Sequence, residues 1–577
     1  MSASSQPLSP AAWRTFAPAA LLVAVALAAY SNSFAGVFVL DDHPNIVGNV
    51  RLRELLPTTW PPWTWAESGL AGRPVTAFTF ALNWAWSEHD TWSYHAVNLA
   101  IHAVCGVLLW LVLRRMLLDL RSRGVAAPGD GAALAGALLW TAHPLGTAAV
   151  DYIVQRCESL MALFFLAAFH AAQVALATNS RRWTLWAALA AWFGAGSKEG
   201  IVVLPLVALA YAGAVRGETR AQLASRGGLW LALLSCWIPL ALLTLLGGGH
   251  STSVGFSHPI GPWEYLQSQA LAVPHYVRLA LWPAPLVLDY GWWRPNDALE
   301  WLAPGCALLA LLAVSTRAVV RARPLGFAGA WWFLVLAPSS SVLPIATQLA
   351  AEHRAYLPLA ALTGAAAFLA AHALRSAPRS VRVGLATSLT AALVLALTLA
   401  TRARNDDYRS EEGLWRESLA RFPDNPRGHT VLGDLQRRRG DLAAAREHYR
   451  LAVELQPAQP FWRINFGVSL FDAGRFDEAA EQLEEAVRLK PGYALAWANL
   501  GQVELARKRP SQALEAHRKA LSIDPTILMA RRGLGFALAD AGQSSKAAAV
   551  LEKWLEANPG DSEARERLEL LRSAPGR

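Results

Sequence analysis

Eleven apolar runs, at about 16–30, 94–113, 131–148, 157–176, 183–196, 200–215, 228–247, 300–316, 325–344, 355–374 and 383–401, limit this chain's fold more than any other feature. Hydrocarbon offers no water to backbone N–H and C=O groups, so a spanning segment must satisfy them internally, as an α-helix does. Each run reads as one span, the shorter ones tilted or extended by flanking aromatics. Composition agrees, with 54% of residues hydrophobic and 16% charged. The net charge of +9 would fit a nucleic acid partner, but its location argues otherwise. Residues 1–404 carry 26 basic and 17 acidic side chains, and residues 405–577 carry 26 of each. The excess lies among the spans, where it suits loops facing anionic lipid, and no nucleic acid binding is expected.

Arginines set the orientation. Arg14, Arg114, Arg115, Arg121, Arg123, Arg181, Arg182, Arg216, Arg220, Arg226, Arg317, Arg321, Arg323, Arg375, Arg379 and Arg382 fall in alternate short loops, which should be cytoplasmic. The opposite side receives 31–93, 149–156, 197–199, 248–299, 345–354 and everything after 401. The stretch 263–289, amphipathic and broken by Pro274, Pro283 and Pro285, reads as interfacial or re-entrant rather than spanning. The first run also resembles a signal peptide, with ALA at 26–28, but the spans that follow favour an anchor. Cys105, Cys157, Cys236 and Cys306 are too scattered for a metal site or a disulfide framework.

Past residue 402 hydrophobicity drops and a repeat begins. Gly433, Gly467, Gly501 and Gly535 stand 34 residues apart, as do Ala445, Ala479, Ala513 and Ala547, and Pro457, Pro491, Pro525 and Pro559. Three registers sharing the tetratricopeptide length over four repeats give a stacked array of helix pairs. Trp415 and Pro423 precede Tyr449 and Pro457 by the same interval, marking a degenerate half-repeat. The expected organisation is therefore all-α. A polytopic membrane bundle fills 1–404, a half-repeat or linker 405–425, and a tetratricopeptide superhelix of four repeats plus a cap helix 426–577.

Ionisable residues beside lipid are costly and point to function. On the outer side they gather in four loops: Asp41 and Asp42; His143 with Asp151, Arg156 and Glu158; Lys198 and Glu199; and Glu352, His353 and Arg354. An acid at the interface can accept a proton from an attacking hydroxyl, and cations can hold a leaving phosphate. Singly, each has a plainer reading. The Asp pair can cap a helix, the Lys–Glu turn can snorkel, and Arg354 can anchor at the interface. No compact DxD or HxH grouping appears, so no metal or other cofactor is expected, although acids could hold Mg²⁺ or Mn²⁺.

The runs SFAGVFVLDDHPNIVGN, GRPVTAFTFALNW, YHAVNLAIHAV, ALLWTAHPLGTAAVDYIVQR, GSKEGIVVLPLVALAY and AAEHRAYLPLAAL, with the repeats behind them, resemble the transmembrane and tetratricopeptide-repeat O-mannosyltransferases and their bacterial relatives. The resemblance implies a GT-C fold and an inverting glycosyltransferase of a bacterial inner membrane. It would use a polyprenyl-phosphate sugar, with Asp41 and Asp42 in the catalytic position. The other outer residues would bind substrate or lipid phosphate, and the extracytoplasmic repeats would hold a protein or envelope-glycan acceptor. One departure is Ala148, where that family pattern has an acid; Asp151 is the candidate substitute, one helical turn on. The alternative is a non-catalytic, membrane-anchored scaffold for envelope assembly, for which one span would suffice.

Overall fold

The computed structural model describes residues 10–53, 69–246, 260–291, 294–295, 297–341, 344–345 and 348–573. The chain divides into two compact units, Met1–Leu414 and Trp415–Arg577.

The first unit carries the apolar helices. In order they are α1 Pro10–Tyr30, α2 Pro74–Ser87, α3 Trp92–Ser122, α4 Asp130–Thr141, α5 Thr147–Val150, α6 Arg156–Thr178, α7 Arg181–Ala195, α8 Leu204–Ala214, α9 Arg220–Ser225, α10 Gly227–Leu234, α11 Trp237–Leu246, α12 Pro262–Leu281, α13 Ala298–Val320, α14 Leu325–Leu336, α15 Leu359–Ala373 and α16 Arg379–Asp407. Long α3 is central, packed by α1, α4 and α6. Helices α4 and α15 meet backbone to backbone, because a Cβ on Gly136 would stand 3.1 Å from the Cα of Gly364.

Each of the eleven apolar runs contains helix among the described residues, but they are not eleven spans of equal standing. Among the described residues, seven helices are long and apolar enough to cross a membrane, and a bent pair, Asp130–Thr141 with Pro144–Val150, makes an eighth. The runs at 183–196, 200–215 and 325–344 give only α7, Glu199–Ala214 and α14, of 15, 16 and 12 residues. The 263–289 stretch differs from expectation in one respect: α12 runs unbroken through Pro274 and stops at Leu281, before Pro283.

The 55° bend of the pair has a local cause. Pro144 has no N–H to continue the helix, and the Leu145 N–H donates to His143 Nδ1 at 3.2 Å. Side chains take up the carbonyls left at the break: Thr141 O meets His102 Nε2 at 3.0 Å, and Ala142 O accepts from Thr401 Oγ1 at 2.8 Å. His143 Nε2 in turn lies 3.1 Å from Ala280 O. With Nδ1 accepting, Nε2 carries the proton, and both nitrogens are committed to holding the bend. His143, expected to bind substrate, thus has both ring nitrogens on backbone partners.

Helix α17 Glu411–Arg421 begins in the first unit and ends in the second, which holds four helix pairs, α18 Pro426–Arg438 with α19 Leu442–Leu455, α20 Pro460–Asp472 with α21 Phe476–Leu489, α22 Ala494–Ala506 with α23 Pro510–Ile523, and α24 Leu528–Asp540 with α25 Ser544–Ala557. The 34-residue glycines are where the helices of each pair cross. A Cβ on Gly433, Gly467, Gly501 or Gly535 would stand 2.8, 2.9, 2.5 or 2.6 Å from Tyr449, Leu483, His517 or Leu551 respectively, distances no side chain tolerates. The last helix, α26 Ser562–Ser573, buries Ala564 and Leu568 against Phe536 and Leu551 and closes the array.

His517 occupies a position filled by Tyr or Leu in the other three pairs. It is fully buried, and neither ring nitrogen has a hydrogen-bond partner. Burial pulls its pKa down from 6.5 to about 4. The unfolded chain therefore takes the proton first, and stability that is complete above about pH 6.5 falls as pH drops toward 4, by roughly 3 kcal/mol in all. His517→Leu should remove this slope and leave the repeats at least as stable at neutral pH. Urea unfolding of a 415–577 fragment at pH 7 and pH 5, followed by circular dichroism, reads the difference; equal acid losses in both chains would refute it.

Candidate functional site

The chain leaves α1 through a tight turn and reaches Leu40 with φ at +47°, a left-handed value that costs energy for a branched side chain. The surroundings hold it there. Val37 N donates to Tyr408 O at 3.0 Å, Leu40 N to Glu411 Oε1 at 3.0 Å and Asp41 N to Tyr152 Oη at 3.1 Å. His43 Nε2 meets the other oxygen of Glu411 at 3.2 Å.

The two adjacent acids beyond this kink differ sharply in exposure. Asp42 is 0% exposed; its Oδ2 accepts from Val39 N at 2.9 Å and its Oδ1 from Val154 N at 2.7 Å. Burial lifts its pKa well above the ordinary carboxylate value, against the pull of those two amides. Asp41 is exposed. Its backbone is fixed by Tyr152 and by Asn45 Nδ2, which donates to Asp41 O at 2.8 Å. Asp42 is a bolt, and Asp41 is the acid presented outward.

The segment that Asp42 grips leads directly to a group of cations. Val75 N donates to Gly196 O at 2.9 Å and Thr76 Oγ1 to Ser197 O at 3.1 Å, so the start of α2 packs on the turn after α7. Arg73, just before α2, thereby reaches Glu199, donating through Nη2 to both carboxylate oxygens at 3.1 Å, and Cys157 Sγ at 3.7 Å. Lys198 pairs with Glu158. Burial opposes the Lys198 charge, yet Glu158 holds its pKa above the ordinary lysine value. His353 belongs to the same neighbourhood, its pKa driven well below 6.5 by burial and then by Lys198, Arg354 and Arg73. It is a neutral imidazole among three cations.

Four other residues expected to bind substrate or phosphate are buried, three of them with hydrogen bonds inside the protein. Arg156 is fully buried. Its Nε donates to Asn98 Oδ1 at 2.6 Å, Nη1 to Asn83 Oδ1 at 2.6 Å and Thr79 O at 3.2 Å, and Nη2 to Tyr94 O at 3.0 Å, with Phe80 beneath it at 4.4 Å. Arg354 arches the loop before α15 through Gln348 O at 2.6 Å, Leu349 O at 3.2 Å and Tyr265 Oη at 3.2 Å. Glu352 Oε1 accepts from Val287 N at 2.6 Å and Tyr290 Oη at 2.8 Å. Asp151 is fully buried with neither oxygen hydrogen-bonded, its pKa lifted by burial and opposed only by Arg404. Among the described residues, no three His, Cys, Asp or Glu side chains stand close enough to hold a metal ion.

Arg73, Tyr152 and Glu411 were not anticipated. Arg73 lies in the GRPV stretch, where its position just ahead of a helix was the available signal. Nothing in the sequence joins Glu411 to Leu40, 371 positions away.

Comparison with known proteins bears on both units. The tetratricopeptide repeat family matches residues 390–460, 464–526 and 504–569. A protein O-mannosyl-transferase of Mus musculus, TMTC3, is 26% identical over 608 residues, covering 94% of this chain and 64% of the relative. Protein O-mannosyl-transferase F38B6.6 of Caenorhabditis elegans is 24% identical, over 76% of this chain and 62% of its own length. Human TMTC3 is 36% identical across a shorter stretch of 157 residues, 26% of this chain and 16% of the relative. Among solved structures, a crystal structure of MamA covers 28% of this chain and 95% of its own at 23% identity and a TM-score of 0.25. The chain spans less than two thirds of the length of these curated relatives. With its apolar helices in front of its repeats, the chain is a relative of the transmembrane and tetratricopeptide-repeat O-mannosyltransferases.

Proposed function

We propose that the chain is a membrane glycosyltransferase of GT-C type that moves a sugar from a polyprenyl-phosphate donor to a protein or envelope-glycan hydroxyl on the extracytoplasmic side of a bacterial inner membrane. The reading rests above all on one observation: an exposed acid, Asp41, whose backbone is held by Tyr152 and Asn45, while the segment 152–158 that carries Tyr152 also pairs with Lys198 and adjoins Arg73.

Asp41 accepts the proton of the acceptor hydroxyl as its oxygen attacks the anomeric carbon. The bond from that carbon to the phosphate oxygen breaks, and polyprenyl phosphate leaves with the electron pair. Lys198 and Arg73 stabilise the negative charge gathering on the phosphate, and His353, neutral, supplies a further hydrogen bond. Attack opposite the leaving group inverts the anomeric centre. In this reading Arg73 takes the phosphate role first expected of Arg156 and Arg354: it donates to one half-exposed carboxylate and a thiol, whereas those two guanidinium groups are buried and donate to several backbone carbonyls and side chains. The stacked helix pairs of the repeat unit offer a surface for an extended acceptor polypeptide.

The two acids should separate in mutagenesis. Asp41→Asn should lower turnover by about 10²–10⁴ with an unchanged melting temperature. Asp42→Asn sets an amide N–H against one of two backbone donors and should destabilise the fold by about 1–3 kcal/mol. Transfer from a radiolabelled polyprenyl-phosphate sugar in liposomes, alongside thermal unfolding, tests both. Full activity in Asp41→Asn would end its assignment as base. Lys198→Gln and Arg73→Gln should each raise the donor KM about tenfold or more while leaving the acceptor KM unchanged. Unaltered donor kinetics in both would mean that the phosphate is held elsewhere.

A further inference from the structure

At the far end of α3 from Asp41 lies a half-open cavity of about 360 Å³ between α3, the 125–128 connection, α14 and α15. We propose that it holds one acyl chain of an anionic phospholipid from the leaflet at that end, with the lipid phosphate on the surrounding arginines.

The lining excludes the alternatives of water and a polar ligand. Leu113, Met116, Ala361 and Ala365 are typical of it, and His372 is its one titratable side chain. The Trp331 indole N–H, also in the wall, is already given to Leu357 O at 3.1 Å. A water here would lack the two to four polar partners it needs. The shape fits a chain. The wall formed by α3 runs from Leu109 to Leu120, roughly 17 Å at 1.5 Å per residue, close to half of a hydrocarbon core of about 30 Å. The Gly136–Gly364 contact removes side-chain volume from the floor, for Gly364 is itself part of the lining.

The mouth is basic. Arg121 donates to the carbonyl of Pro128, a lining residue, and Arg123 donates to Ala322 O at 3.1 Å, two residues before lining Pro324. Arg323 adjoins Pro324, and Arg375 follows His372 by three positions; both are exposed. The nearby acids are spent: Asp130 on Arg114 and Arg121, and buried Asp119 on Arg115 and Arg216. An apolar slot of leaflet depth under a rim with more arginines than acids matches a phospholipid carrying net negative charge. This inference depends on the spans and not on the transfer reading; a chain without transferase activity would bind the lipid equally.

The test is native mass spectrometry of the full-length chain in mild detergent, supplied in turn with phosphatidylglycerol and phosphatidylcholine of identical acyl chains. One phosphatidylglycerol per chain should be retained about tenfold better than phosphatidylcholine. Arg323→Gln with Arg375→Gln, both surface changes that leave the packing alone, should bring that preference close to one, a loss of about threefold per arginine. Ala365→Phe, which fills the slot, should reduce adducts of both lipids. Equal retention of the two lipids by the parent chain, an adduct unaffected by Ala365→Phe, or an adduct with the mass of a polyprenyl phosphate instead would overturn the proposal.

Discussion

Two backbone amides separated by 115 positions, those of Val39 and Val154, share the carboxyl group of Asp42, which is fully buried. A carboxylate moved out of water is stable only if such donors replace its hydration, and removing either partner exposes the full desolvation cost. That requirement locks the loop after the first apolar helix to the segment that begins α6. The positive φ of Leu40, the outward aim of Asp41 and the position of Tyr152 all depend on this lock.

Elsewhere the first unit follows the same rule. Charged and polar side chains at the ends of apolar helices are tied to backbone carbonyls and amides: Arg156 to Tyr94 and Thr79, Arg354 to Gln348 and Leu349, Glu352 to Val287, and His143 to Leu145 and Ala280. Bends and irregular loops survive at membrane depth because such groups satisfy the backbone atoms that a helix would otherwise satisfy. Asp41, Lys198 and Arg73 differ from this framework in that their side chains meet other side chains: Tyr152, Glu158, and Glu199 with Cys157 respectively.

Much of the architecture was legible because it rests on periodicity. Each apolar run became a helix, and the 34-residue glycines mark crossings that admit no Cβ. Length was harder to read, since hydropathy does not show where a helix ends; α14 stops at Leu336 although its apolar run extends to 344. Pro274 was misread as a breaker, because in a helix buried by its neighbours one missing hydrogen bond is tolerable. Within the site, adjacent acids cannot be told apart from sequence. Their difference comes from one unusual dihedral angle and from partners 111, 112 and 371 positions distant. The same holds for Arg156, whose burial and four side-chain and carbonyl acceptors no local pattern announces.

The division of labour between Asp41 and Asp42 can be measured directly by carbodiimide labelling of the folded full-length chain, read by peptide mass spectrometry with and without a polyprenyl-phosphate sugar. Asp41 should label readily and be protected by the donor, while Asp42 labels only after unfolding. Labelling of Asp42 at the rate of Asp41 in the folded chain, or no donor protection at Asp41, would contradict the account.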